Sequence, residues 1–114
     1  METTLPAGLY RQGDVFVLKI EDDSVVLGAQ LPRDTQGRIV LAHGEVTGHA
    51  HAIYTQGAEL FRASDAANNG VFLKVVKPVA LKHEEHTQIG LPPGLYRVMR
   101  QSEYSPEEIR YVAD

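Results

Sequence analysis

Short apolar stretches that never run far before meeting Gly, Pro or Asn constrain this chain most. In "DVFVLKI" (14–20), Phe16, Leu18 and Ile20 fall on one face and Val15, Val17 and Lys19 on the other, the period-two pattern of a strand. "RIVLAH" (38–43) reads as a strand by its β-branched content. "HAHAIYT" (49–55) alternates, with His49, His51 and Ile53 on one face and Ala50, Ala52 and Tyr54 on the other. "AELFRA" follows as a short strand, and "LYRVMRQSEY" (95–104) as a longer one.

The intervening stretches read as breaks. Residues 21–37 carry acidic residues, Gly28, Pro32 and Gly37, and are expected to form a loop holding one short strand, Val25 to Leu27. "SDAANNG" (64–70) and "LPPG" (91–94) are turns. Pro78 interrupts the long apolar run 71–83 and marks an edge or a kink, because proline cannot donate to a ladder. Residues 79–88, "VALKHEEHTQ", stay open between strand and helix, since helix formers are frequent there and Gly90 would suit a helix end. At the C-terminus, Ser105-Pro106 would start one short helical turn, while "IRYVAD" alternates and favours a final strand. Regular strands with Gly/Pro turns predict an all-β fold, a single compact β-barrel or sandwich. The 114 residues suit one domain spanning 1–114.

Composition narrows the function. The net charge of −4 is opposite to what phosphate binding asks for, so nucleic acid is not an expected partner. There are no cysteines, which removes disulfides, thiolate ligands and cysteine nucleophiles together. The opening "METTLPAGLYRQGD" lacks a basic start followed by an apolar run, and no stretch approaches the ~20 apolar residues of a membrane helix. A cytoplasmic location away from membranes is the expectation.

All five histidines fall in two segments: His43, His49 and His51 in one, His83 and His86 in the other. Imidazole is the commonest neutral metal ligand and titrates nearest neutrality. On a strand, His49 and His51 present both rings to one face, ~7 Å apart at the backbone. His83 shares the Leu81 face if 79–83 is a strand, with His86 in the turn beyond. In a helix, His83 and His86 would share a face. Glu45, Glu59, Glu84 and Glu85 are nearby carboxylates. Three nitrogens and an open position suit Zn²⁺ or a divalent iron, manganese or nickel ion. The expected metal ligands are therefore His49, His51, His83 and His86, with His43 outside that set. "HEEH" has the wrong spacing for a zinc metalloprotease helix. Histidines that are merely hydrogen-bonded or solvated, and metal-free acid–base histidines, are the alternatives.

The order G-x4-H-x-H, a long apolar strand, then a second histidine region and "LPPG-x-Y" resembles the small β-barrel cupins. Gly44, His49, His51 and Glu59 stand at the places of their first motif. The resemblance implies a cupin-like barrel with a metal inside. Gly44 precedes His49 by five rather than six, Glu59 comes late, and Pro92-Pro93-Gly94 follows the second histidines where the family places it before. The strings "GEVTGHAH" and "HTQIGLPPGLYRVMRQSEYSPEEIR" are also similar to a family of small, uncharacterised bacterial and phage-associated proteins, a likeness that implies no function.

Other chemistry is weaker. Tyr96, Arg97, Arg100, Gln101 and Tyr104 would stack bases in a metal-free ribonuclease with histidine as acid and base. The competing reading turns Tyr96 and Val98 inward and leaves Arg97, Met99 and Gln101 as a solvated face. No nucleophile elbow or phosphate loop is present, and "EDD" (21–23) lacks Ca²⁺-loop spacing. "LKVVKPVAL" as an exposed edge would pair between subunits, giving a homo-oligomer. That makes a non-enzymatic assembly protein the second functional expectation, beside a metal site acting on a small molecule. The sequence does not decide whether the chain is an enzyme.

Overall fold

The computed structural model describes residues 7–21, 25–44, 48–63 and 70–100. These form ten strands and no helix: β1 (Leu9–Gln12), β2 (Val15–Ile20), β3 (Leu27–Leu31), β4 (Ile39–His43), β5 (Ala50–Ile53), β6 (Ala58–Ala63), β7 (Val71–Val75), β8 (Val79–Lys82), β9 (Ile89–Leu91) and β10 (Gly94–Arg100). One sheet has six strands in the order β1-β2-β10-β7-β6-β3, the other four in the order β4-β5-β8-β9. Every pairing is antiparallel. Of the two architectures expected, the ladders make two sheets, not one sheet closed into a barrel.

The sheets share a core. Val15, Val17, Leu73, Val75 and Tyr96 of the larger sheet meet Ile39, Ile53, Leu81 and Leu91 of the smaller. A second cluster of Leu9, Phe16, Leu18, Ile20, Phe72 and Met99 lies on the opposite face of the larger sheet. Two buried faces explain why β2 is apolar on both. Met99 is therefore buried, and the solvated face expected around Arg97 and Met99 is corrected. Tyr96 is buried as well, its hydroxyl donating to Pro92 O at 2.6 Å, so it offers no ring for stacking bases.

The apolar run 71–83 is not an edge. β7 pairs with β10 and β6, and β8 with β5 and β9. Pro78 sits where the chain leaves one sheet for the other, a place that asks for no ladder donor. This removes the edge from which subunit pairing was expected. The question over 79–88 resolves as a strand followed by a loop, because β8 has a partner on each side. The short strand expected at 25–27 is β3, shifted to Leu27–Leu31 and bulged between Leu27 and Gln30. The bulge changes parity, so Leu27 joins the second cluster while Leu31 packs on the core between the sheets. The C-terminal strand-or-helix alternative, Gln101, Tyr104, Asp22, Asp23 and Glu45 lie outside the described residues. No helix among the described residues is long and apolar enough to cross a membrane.

Candidate metal centre

Strand parity delivers the first histidine. His51 follows Ile53 to the inner face of β5 and is 2% exposed. A bulge in β4 sets what stands opposite: Val40 pairs with Ala52, but Ala42 pairs with His51. The extra residue is Leu41. Without the bulge Leu41 would oppose His51; with it the small Ala42 stands there and leaves the imidazole room. His49 lies one residue before β5.

The second segment arrives on β8. His83 continues the inward parity of the fully buried Leu81, and His86 follows in the loop to β9. Gln12, buried at the end of β1, ties this loop down. Its Nε2 donates to Leu81 O at 2.9 Å and to Thr87 O at 3.0 Å, one on each side of the two histidines. Both partners only accept, so the orientation of the amide is fixed. Oε1 of Gln12 then accepts from Nδ1–H of His51 at 2.9 Å. That bond places the His51 proton on Nδ1 and leaves the lone pair on Nε2, the outer-shell arrangement that presets a histidine for a metal.

The four rings meet. His51 and His83 have centroids 4.3 Å apart, His83 and His86 4.6 Å, His49 and His83 5.6 Å, and His51 and His86 5.8 Å. Two glycines make the approach possible. A Cβ on Gly13 would stand 2.7 Å from His86 Nε2, and one on Gly44 3.1 Å from His83 Nε2 and 3.0 Å from His49 Cβ. Around the rings is a cavity of about 300 Å³, also lined by Asp14, the exposed His43, Glu85 and Arg100.

Positive charge is disfavoured on the innermost ring. Burial, then the neighbouring His83, holds the His51 pKa below the ordinary histidine value, with His86 and Arg100 adding to this and Asp14 opposing it. A neutral ring with its proton on Nδ1 turns the Nε2 lone pair towards Asp14 Oδ1, 3.5 Å away. Asp14 Oδ2 is 3.2 Å from an Arg100 nitrogen. Glu84 accepts from Ala50 N at 2.9 Å, and that hydrogen bond keeps its carboxyl below the usual range. His49 Nδ1 lies 3.3 Å from Glu85 Oε1. His49, His83 and Glu84 each offer one donor atom within 4.8 Å of the others.

The histidines are not equally prepared. His83 Nδ1 accepts from Glu85 N at 3.0 Å, so in the neutral ring its proton sits on Nε2. His83 can ligate only by exchanging that bond for the ion. His51 already presents a free lone pair.

All four expected ligands therefore face one cavity, and His43 lines its rim. Of the carboxylates, Glu84 and Glu85 reach the site. Glu59 does not: it lies exposed on β6 opposite Lys74. Sequence reasoning missed Asp14, Gln12 and Gly13, the turn between β1 and β2. The signal was a buried-side glutamine, legible only once Leu9–Gln12 is known to be a strand with Tyr10 and Gln12 facing inward.

Residues 11–101 match the model of a domain of unknown function, DUF8820, while no curated protein and no solved structure matches the chain significantly. Gln12, Asp14, Arg100 and all five histidines lie inside the matched region. The chain thus belongs to the family of the DUF8820 domain of unknown function.

Proposed function

We propose that this protein binds one divalent transition metal ion among His49, His51, His83 and His86 and offers it to a small molecule. The observation that carries this is His51: buried, held by Gln12 through Nδ1, with its Nε2 directed into a cavity that four other imidazoles and the carboxylates of Asp14 and Glu85 share. A cation bound there would lie beside both that nitrogen and the Asp14 carboxylate. Nitrogen and oxygen donors without sulfur suit Zn²⁺, Fe²⁺, Mn²⁺ or Ni²⁺. The resemblance to small cupins supports the same reading through His49-x-His51, although the strands here form two sheets.

A bound ion with an open position would acidify water or polarise a substrate oxygen. The residues would hold and orient it: Gln12 by setting the His51 tautomer, Glu85 by holding His49. Ligand count separates the uses, since four protein donors make a structural site and three leave room for chemistry.

Metal analysis of protein purified without a histidine tag tests the proposal. About one equivalent is expected in loaded protein, with a melting temperature that rises as Zn²⁺ or Fe²⁺ is added, because binding to the folded state alone stabilises it. Metal well below one equivalent together with an unmoved melting temperature would end this reading.

A further inference from the structure

We infer that Asp14 is itself a ligand of the ion, so that the turn between β1 and β2 supplies a third segment to the site. The inference rests on the metal reading above and deepens it: the ion lies between His51 Nε2 and Asp14 Oδ1.

The distance between these atoms selects what can sit there. At 3.5 Å they are farther apart than the about 2.7–3.2 Å of an N–H···O hydrogen bond, and the other ring nitrogen of His51 is already engaged by Gln12 Oε1. A water donating one proton to each, at about 2.8 Å, would hold them about 4.4 Å apart. Two donors of a tetrahedral ion, each about 2.1 Å from the metal, stand about 3.4 Å apart. The observed gap of 3.5 Å is close to that edge.

The surroundings agree. His86 is drawn over Gly13, where a Cβ would stand 2.7 Å from its Nε2. The same turn that carries Asp14 therefore brings His86 to the site. The other oxygen of Asp14 faces Arg100, which orients the carboxylate and leaves Oδ1 for the ion. Asp14 is half exposed, so the ion would be reached from solvent on this side.

Cobalt is the probe, since its visible bands report the number and type of ligands. Full-length wild type, Asp14→Asn, Arg100→Gln and Asp14→Cys are titrated with Co²⁺ and then competed with Zn²⁺. Wild type is expected to develop visible bands up to one equivalent. In Asp14→Asn the bands move, and affinity falls by more than the roughly 10–100-fold that losing an outer-shell partner costs. Arg100→Gln, which removes the group that orients the carboxylate, lowers affinity by no more than that outer-shell range. Asp14→Cys gains a sulfur-to-cobalt charge-transfer band, which only a directly bound thiolate produces and for which the chain has no other cysteine. Asp14→Asn with unchanged bands, or Asp14→Cys without the new band, overturns the inference even if affinity falls. A wild type that binds neither ion overturns the metal reading first, and the two failures are thereby told apart.

Discussion

Gln12 shows how much one side chain can settle. Its amide bridges both ends of the His83–His86 loop and fixes the tautomer of His51. Gln12→Met keeps the length and apolar stem but removes all three bonds in a buried place. It should cost about 2–4 kcal/mol, read by chemical denaturation, and weaken Zn²⁺ binding roughly 10–100-fold, read by titration below the variant's melting point. Equal affinity in wild type and Gln12→Met would show that the tautomer does not matter. The histidines themselves were legible in the sequence because parity is arithmetic: His51 follows Ile53, and His83 follows Leu81. Gln12 and Asp14 were not, because a glutamine and an aspartate flanking a glycine look like any polar turn. Their importance arises only when β1, at one edge of the larger sheet, comes to lie over the loop of the smaller one.

At the scale of elements, irregularities shape the site more than regular strands do. The turn after β1 uses Gly13 at φ +58°, as a two-residue hairpin with glycine first requires. Gly13→Ala meets two obstacles, the left-handed backbone and the His86 ring. A loss of about 1–2 kcal/mol is expected from the backbone alone, together with weaker metal binding; thermal melts and metal titration of the same preparation check both. The β4 bulge invites a second test. Ala42→Leu places a large side chain opposite His51, where the bulge has kept a small one. Overpacking should destabilise by about 1–3 kcal/mol and displace the imidazole, so Zn²⁺ binding should fall with stability. Wild-type affinity in Ala42→Leu would mean that the bulge has no part in making room. The long alternating strands were readable: β2 and β6 lie where their patterns place them. β1 and β9 were not, being only four and three residues long, too short for an alternating pattern to show. β3 was misplaced because a bulge and Gly28 break its alternation, and neither is visible without the strand beside it.

For the molecule as a whole, Tyr96 is the residue through which the two sheets depend on each other. It lies on the inner face of β10, fully buried, with its ring edge-on to Tyr10 at 6.0 Å and its hydroxyl on Pro92 O just past β9. Burial, and secondarily the nearby Tyr10, pushes its pKa from 10.0 up to about 12. The neutral form is the one the fold favours, so the sign is definite. Stability from this group is fully present below pH about 10, where the unfolded chain's tyrosine is also neutral, and is lost as pH rises through about 12. The separation corresponds to about 3 kcal/mol, a sizeable part of what a domain this small has in hand. Tyr96→Phe should lose about 1 kcal/mol at neutral pH with its hydrogen bond, yet decline less steeply than wild type between pH 10 and 12. Denaturant melts across that range, paired with tyrosinate absorbance to separate Tyr96 from the four other tyrosines, measure the difference. Because both sheets pack on this ring, its ionisation should unfold the protein in one transition rather than loosen one edge. Parallel alkaline curves for wild type and Tyr96→Phe would mean that the sheets are held together elsewhere.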